Sequence, residues 1–257
     1  IKDYLTVKNN LKGFKFSDGS KILWDLRKIK TRNEIKKLRY ICELTSDAFE
    51  ILPKQISIGD TERSVCRQLK INIINLGADN IPFMGSSSGK GGYDQIIFEP
   101  TDRILGDKDL LFIDTGANFD GYFCDFDRNF GFNSIEDKVY KAYETTWIAV
   151  SAGIKSAVPN NKFSDVFSAM NKVLIDGGSK GNGVGRMGHG FGLQLTEPPS
   201  FMYADDNTLE AGMAVTIEPV FEFENGNMIV IEENIIINKD GNELITKRAP
   251  KEIPIIK

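Results

Sequence analysis

The chain has 257 residues, enough for one large domain with at most a short appendage. Its 41% hydrophobic and 26% charged residues sit at the globular average and exclude the disordered and fibrous classes. A formal net charge of −4 gives no electrostatic ground for nucleic acid or an anionic membrane surface as partner.

Residues 1–30 are mixed in character, and GFKFSDGSKILWDL within them reads as a hairpin or short strand pair. Because the sequence opens on Ile1, we read it as a piece of a longer protein, with 1–24 a remnant or linker from a preceding domain and 25–257 the catalytic domain. Lys and Arg gather once, in DLRKIKTRNEIKKLR, but interspersed acids make that run a solvated helix face. Thr31 opens a helix with the capping box Thr31-x-x-Glu34, followed by apolar positions Ile35, Leu38, Ile41, Cys42, Phe49 and Leu52 at helical spacing. Asp60 is the expected N-cap of a second helix through Val65 and Leu69, ending near Gly77.

NIPFMGSSSGKGGYDQ reads as a Gly/Ser loop that does not match a phosphate-binding GxxxxGK[ST]. DLLFID and GYFCDFDRNFGF are strand-like by alternation and β-branched or aromatic content. The pattern then starts again, with helices in SIEDKVYKAYETTWIAVSAGI and KFSDVFSAMNKVLIDGG and strands in MAVTIEPVFEF and MIVIEENIII around the turn ENGN. Two helices and then strands, twice over, predict two similar α+β halves with a site between them.

Cys42, Cys66 and Cys124 are the three cysteines, and they form no CxxC pair. That pattern excludes a cysteine zinc site and argues against a disulfide framework, so a reducing, cytoplasmic setting is expected. No apolar stretch approaches the length of a membrane span, and no signal peptide opens the chain.

Acidic residues interrupt the apolar strands. Asp114 closes FIDTGA, Asp125 and Asp127 lie in GYFCDFDR, Glu218 breaks MAVTIEPV and Glu232 breaks MIVIEENIII. His189 is the single histidine and sits in GRMGHGFGL, a backbone able to approach a ligand closely. Taken singly, each has a plainer reading: a strand carboxylate usually faces solvent or an ion pair, and a lone histidine is more often a satisfied or surface residue. Taken together, several carboxylates buried near one another require cations, and hard divalent ions are the natural solution. One imidazole among many oxygens favours Mn²⁺, Fe²⁺ or Co²⁺ over a structural zinc site.

FIDTGA…GYFCDFDRNF, GHGFGL, GMAVTIEPV and VIEEN…DGNELIT, in that order, resemble the pita-bread metallohydrolases, which include methionine aminopeptidase, prolidase, aminopeptidase P and creatinase-like enzymes. The resemblance runs from about Asp25 to the end and implies the pita-bread fold, two pseudo-symmetric halves with a curved antiparallel sheet flanked by helices. It implies that Asp114 chelates one of two divalent ions, Asp125 and Glu232 bridge both, and His189 and Glu218 bind the second. A water or hydroxide between the ions would be the nucleophile, its pKa lowered by both charges. Creatinase works without metal, but all five ligand positions here carry ligand-type residues. Creatinase-type members are usually dimers, so a homodimer is expected.

The resemblance breaks at two histidines that the family's peptidases place around the scissile bond, in HxxP and GHGxGxxxHExP. Ile97 and Thr196 stand at those positions, the latter followed by Glu197. Such groups contribute roughly 10²–10⁴-fold in rate by donating to the substrate as charge develops. Asp127 replaces the threonine usual in SDxTR and adds a carboxylate beside the ions. Asp127, Thr196 and Glu197 are therefore the catalytic candidates. QLTEPP, GYFCDFDR and RAPKEIP look similar to the branch holding ectoine hydrolase and the dimethylsulfoniopropionate lyases. The expected function is a dinuclear-metal hydrolase of a C–N bond in a small-molecule or dipeptide-sized substrate. The alternatives are a true Xaa-Pro dipeptidase or aminopeptidase, a metal-dependent lyase, and a catalytically silent binding module.

Overall fold

The computed structural model describes residues 2–181, 183 and 185–257. Two helices lead in. α1 (Lys2–Asn10) buries no residue, and α2 (Ser20–Lys28) leans its C-terminal end on the body of the protein. The hairpin expected over residues 13–26 is not formed, and a helix starts at Ser20 within it. Asp18 Oδ1 accepts a hydrogen bond from Ser20 N at 2.9 Å, and Gly19 takes the N-cap position. The expected boundary between residues 24 and 25 falls inside α2. Arg27, Lys28 and Lys30 tie this segment down on Glu197 and Glu210.

α3 (Arg32–Ile51) begins at the predicted capping box: Thr31 N donates to Glu34 Oε2 at 2.7 Å while Thr31 Oγ1 accepts from Glu34 N. α4 (Glu62–Leu76) is capped by Thr61, one residue later than expected, because the Asp60 carboxylate is taken by Ser57 N in the preceding turn. Gly77 ends it in the left-handed conformation.

The stretch expected as a Gly/Ser loop is the strand β1 (Asn80–Lys90), antiparallel to β2 (Asp109–Phe119) with Gly85 opposite Asp114. Pairing overrides its poor strand propensity. Ser86 N donates to Phe98 O on the outer edge, and Ser86 Oγ donates to Phe112 O, so the small side chains serve the ladder. β3 (Tyr122–Phe123) and β4 (Phe126–Phe132) follow, with β4 antiparallel to β2.

The second half begins with α5 (Asp137–Ser156) and α6 (Phe163–Asp176). Its sheet holds β5 (His189–Gly190), β6 (Glu197–Ser200) and β7 (Ala214–Ile217). β8 (Val220–Glu222) and β9 (Met228–Val230) form a separate hairpin around the predicted Asn225-Gly226 turn. β10 (Glu233–Asn238) and β11 (Gly241–Leu244) complete the order β11-β10-β7-β5-β6, and β12 (Ile255–Ile256) returns to pair parallel with β4.

The two-residue period of the strands places the site. On β2, Leu111 and Ile113 pack with α3 and α4, whereas Leu110 and Phe112 join the core of the second half, and Asp114 continues that second face. On β4, Phe126 and Phe130 turn to the first core, leaving Asp127 on the opposite face. On β7, Val215 and Ile217 pack with α5 and α6, so Thr216 and then Glu218 look back at the first half. The two sheets therefore present carboxylates to each other across their shared interior. Among the described residues no helix is long and apolar enough to cross a membrane.

Candidate metal centre

Three acids come from the first half and two acids and the histidine from the second. The cross-strand pairing sets Asp114 directly opposite Asp127. Asp125, just before β4, is fixed from the second half: its N–H donates to Asn234 Oδ1 at 3.1 Å, and the Asn234 amide donates back to its carbonyl. Glu218 and Glu232 occupy the breaks between β7 and β8 and between β9 and β10. A break in the ladder lets each carboxylate leave the sheet toward the centre.

Two overlapping groups emerge. Asp125, His189 and Glu232 can each offer a ligand atom with all three atoms within 4.8 Å of one another, and so can Asp114, Asp127 and Glu232. Glu232 belongs to both. Asp125, Asp127, His189 and Glu232 are buried, while Asp114 and Glu218 are partly exposed.

His189 is aimed by its backbone. Gly188 adopts φ +144°, and a Cβ there would meet Thr216 O at 2.3 Å; at Gly190 a Cβ would lie 2.6 Å from Pro198 O. Only glycine on either side lets the histidine strand lie this close to its neighbours. His189 N donates to Thr216 Oγ1 at 3.0 Å, and its Nδ1 lies 2.9 Å from Gly190 O. With Nδ1–H donating to that carbonyl, Nε2 faces Asp125 Oδ2 and Glu218 Oε1, each at 3.4 Å. Metal–ligand bonds of about 2.1 Å at a tetrahedral angle put ligand atoms roughly 3.4 Å apart.

The electrostatics point the same way. Burial raises the carboxyls of Asp114, Asp127 and Glu232 well above the usual range, and the other acids of the cluster add to it. Asp125 and Glu218 are also raised by burial, with His189 opposing. For His189, burial disfavours the cation, but Glu218 and Asp125 outweigh it and raise the imidazole. Asp127 Oδ1 and Glu232 Oε1 are buried without a hydrogen-bond partner. Orphaned buried oxygens of this kind cost about 1–3 kcal/mol or more each, and divalent cations fit them.

A pH dependence follows. Folded-state carboxyl values raised above the ordinary unfolded values near 4 mean that the native, metal-free protein binds more protons than the unfolded chain. The stability linked to them is fully present below pH 4 and lost as pH rises through the folded values; the raised His189 acts in the same direction. The melting temperature of metal-free protein is expected to fall between pH 5 and pH 8, and saturating Mn²⁺ is expected to reverse that trend. Calorimetry at fixed ionic strength with and without the ion checks both.

Several contributors carry no signal in the sequence. Asn234 and Thr216 hold the ligand backbones, and Arg128 donates to the carbonyls of Asp127, Glu232 and Lys247 while pairing with Glu233 at 3.2 Å. Arg186 Nε reaches to 4.0 Å from Glu218. The expected catalytic residues divide. Asp127 joins the cluster, and Thr196 is exposed. Glu197 does not join either group: its buried carboxylate is held by Arg27, by Lys30 at 3.1 Å and by Gln194 N. These partners occupy both oxygens and tie α2 to β6.

The sequence profile of metallopeptidase family M24 matches residues 36–239. The Xaa-Pro dipeptidase of Pyrococcus horikoshii is 29% identical over 95% of this chain and 69% of its own length. That of Pyrococcus furiosus is 27% identical over 93% and 68%. A dipeptidase structure from Pyrococcus horikoshii superposes with a TM-score of 0.91 at 28% identity, covering 99% of this chain and 71% of that one. These relatives favour a prolidase-like hydrolase over a lyase. The chain therefore belongs to metallopeptidase family M24, carries its pita-bread fold and is a metal-dependent hydrolase.

Proposed function

We propose that Asp114, Asp125, His189, Glu218 and Glu232 hold two divalent ions, with Mn²⁺, Fe²⁺ or Co²⁺ preferred over Zn²⁺, and that the protein hydrolyses a C–N bond in a dipeptide-sized substrate. The observation that carries this reading is Glu232, a buried carboxylate common to both three-residue groups, with one oxygen left without a partner. A bridging ligand is the role such a position suits. One imidazole among carboxylates favours the mid-series transition ions.

When bound, the ions supply Lewis-acid polarisation of the scissile carbonyl and activation of water. The chain's own residues do the rest. Gly190 O holds His189 Nδ1 and fixes the tautomer, leaving Nε2 for a ligand bond. Thr216 Oγ1 lies 3.3 Å from Glu218 Oε1 and orients that carboxylate. Thr196 offers a hydroxyl where a histidine would donate a proton, and Ile97, 76% exposed, offers none. Glu197 acts as a positioning residue, anchoring the strand next to Thr196 through Lys30. Three buried free cysteines suit a reducing, cytoplasmic setting, and a homodimer is our expectation for the assembly.

The test is a screen of Mn²⁺-, Co²⁺- and Zn²⁺-loaded protein against Xaa-Pro dipeptides, other dipeptides and small cyclic amidines, with products analysed in ¹⁸O-labelled water. One solvent oxygen is expected in the acyl product for each bond cleaved, and none in the amine. Turnover without label incorporation would mean elimination instead of hydrolysis.

A further inference from the structure

We propose that Asp127 is itself a metal ligand, so that one ion sits among Asp114, Asp127 and Glu232 in an all-oxygen position while its neighbour sits on His189. The inference rests on the two-ion reading above and assigns its two positions different chemistry.

Asp127 faces Asp114 across the β2–β4 ladder, where opposing side chains stand about 4.5–5.5 Å apart at Cβ. Like charges in that relation destabilise a sheet, and here one of the two, Asp127, is buried while Asp114 is only partly exposed. Asp127 is 4% exposed, and its Oδ1 has no hydrogen-bond partner. The adjacent cation makes no hydrogen bond to that carboxylate: Arg128 donates instead to the Asp127 carbonyl, Glu232 O, Lys247 O and the Glu233 carboxylate. Glu232 Oε1, the second orphaned oxygen of the cluster, belongs to the same three-residue group. Asp114, Asp127 and Glu232 each bring a carboxylate oxygen within 4.8 Å of the other two, and Asp127 and Glu232 each keep a buried oxygen without a partner, which describes a cation position built from carboxylates alone.

The two positions then differ in softness. Asp114, Asp127 and Glu232 give three hard oxygen donors and up to three negative charges, which suit Mn²⁺ or Mg²⁺. Asp125, His189 and Glu218 include an imidazole and suit a later transition ion. The position bearing Asp127 is expected to take Mn²⁺ in preference to Zn²⁺.

Metal-free wild type, Asp127→Asn, Asp127→Thr and His189→Ala proteins are titrated with Mn²⁺ by calorimetry and examined by electron paramagnetic resonance. Melting of each metal-free protein verifies folding. Wild type is expected to bind two Mn²⁺ and show the spectrum of a coupled pair. Both Asp127 variants are expected to melt at or above the wild-type temperature without metal. They should keep one ion and bind the second at least ~100-fold more weakly, beyond the ~10–100-fold typical of a residue acting through another ligand. His189→Ala is expected to lose the other ion. Weakening below ~100-fold in both Asp127 variants overturns the assignment. Fewer than two ions on wild type would overturn the two-ion reading itself, a separate result.

Discussion

Glu232→Gln is expected to abolish binding of the paired ions and to lower turnover by about 10³-fold or more, while making the metal-free protein more stable at neutral pH. The first effect follows from the membership of Glu232 in both ligand groups. A neutral amide cannot offset charge on either ion, and several kcal/mol of transition-state stabilisation is the scale of a metal's contribution, at about 1.4 kcal/mol per tenfold. The second effect has the opposite sign from most buried substitutions. Glu232 is 1% exposed among Asp125, Asp127, Glu218 and Asp114, all of which disfavour its charged form along with burial itself. Removing that charge relieves repulsion that only cations otherwise balance. Calorimetric melting of the metal-free proteins at pH 7.5, beside metal content and activity, separates the two effects. Full metal occupancy in the variant would show that Glu232 is not shared between ions.

Arg128→Met is expected to cost roughly 3–5 kcal/mol, the usual penalty for breaking one partner out of a buried pair. Arg128 is 6% exposed and joins three elements: it holds the Glu232 carbonyl at 2.5 Å, the Asp127 carbonyl at 3.0 Å and the Lys247 carbonyl at 2.9 Å. Its loss strands Glu233, which is fully buried, with Ala249 N, Thr246 and the more distant Arg248 as remaining partners. The same substitution frees two ligand-bearing backbones, so metal affinity is expected to fall together with stability. Arg128→Met/Glu233→Gln is expected to recover part of the stability, because no buried charge is then left alone. Urea unfolding of the single and double variants measures this, and equal midpoints for both would place the cost elsewhere.

The strand acids were legible because each breaks an apolar run that has no other reason to contain a charge. Asp114, Asp125, Glu218 and Glu232 could be read that way, and His189 stood out between glycines as the single imidazole. The helix starting at Thr31 was legible from a local device, the capping box, whose partners lie three residues apart. What could not be read depended on distant partners. β1 is a strand because β2 and the Phe98 carbonyl satisfy its backbone, not because GSSSG favours extension. Glu197 looked like part of the reacting centre beside Thr196, but Lys30 and Arg27 lie more than 160 residues away in sequence and claim it. Nothing local to Arg128 signals its hold on Glu232 and Glu233, which crosses more than 100 residues. The segment 13–26 failed for a different reason: Asp-Gly opens both hairpins and helices, and nothing nearby breaks the tie.

The most direct test of the two-ion centre is anomalous diffraction at the manganese edge from crystals of the protein equilibrated with Mn²⁺. Two peaks are expected among Asp114, Asp125, Asp127, His189, Glu218 and Glu232, with Glu232 oxygens within about 2.0–2.3 Å of both. A single peak, or peaks lying outside these six side chains at saturating Mn²⁺, would contradict the account.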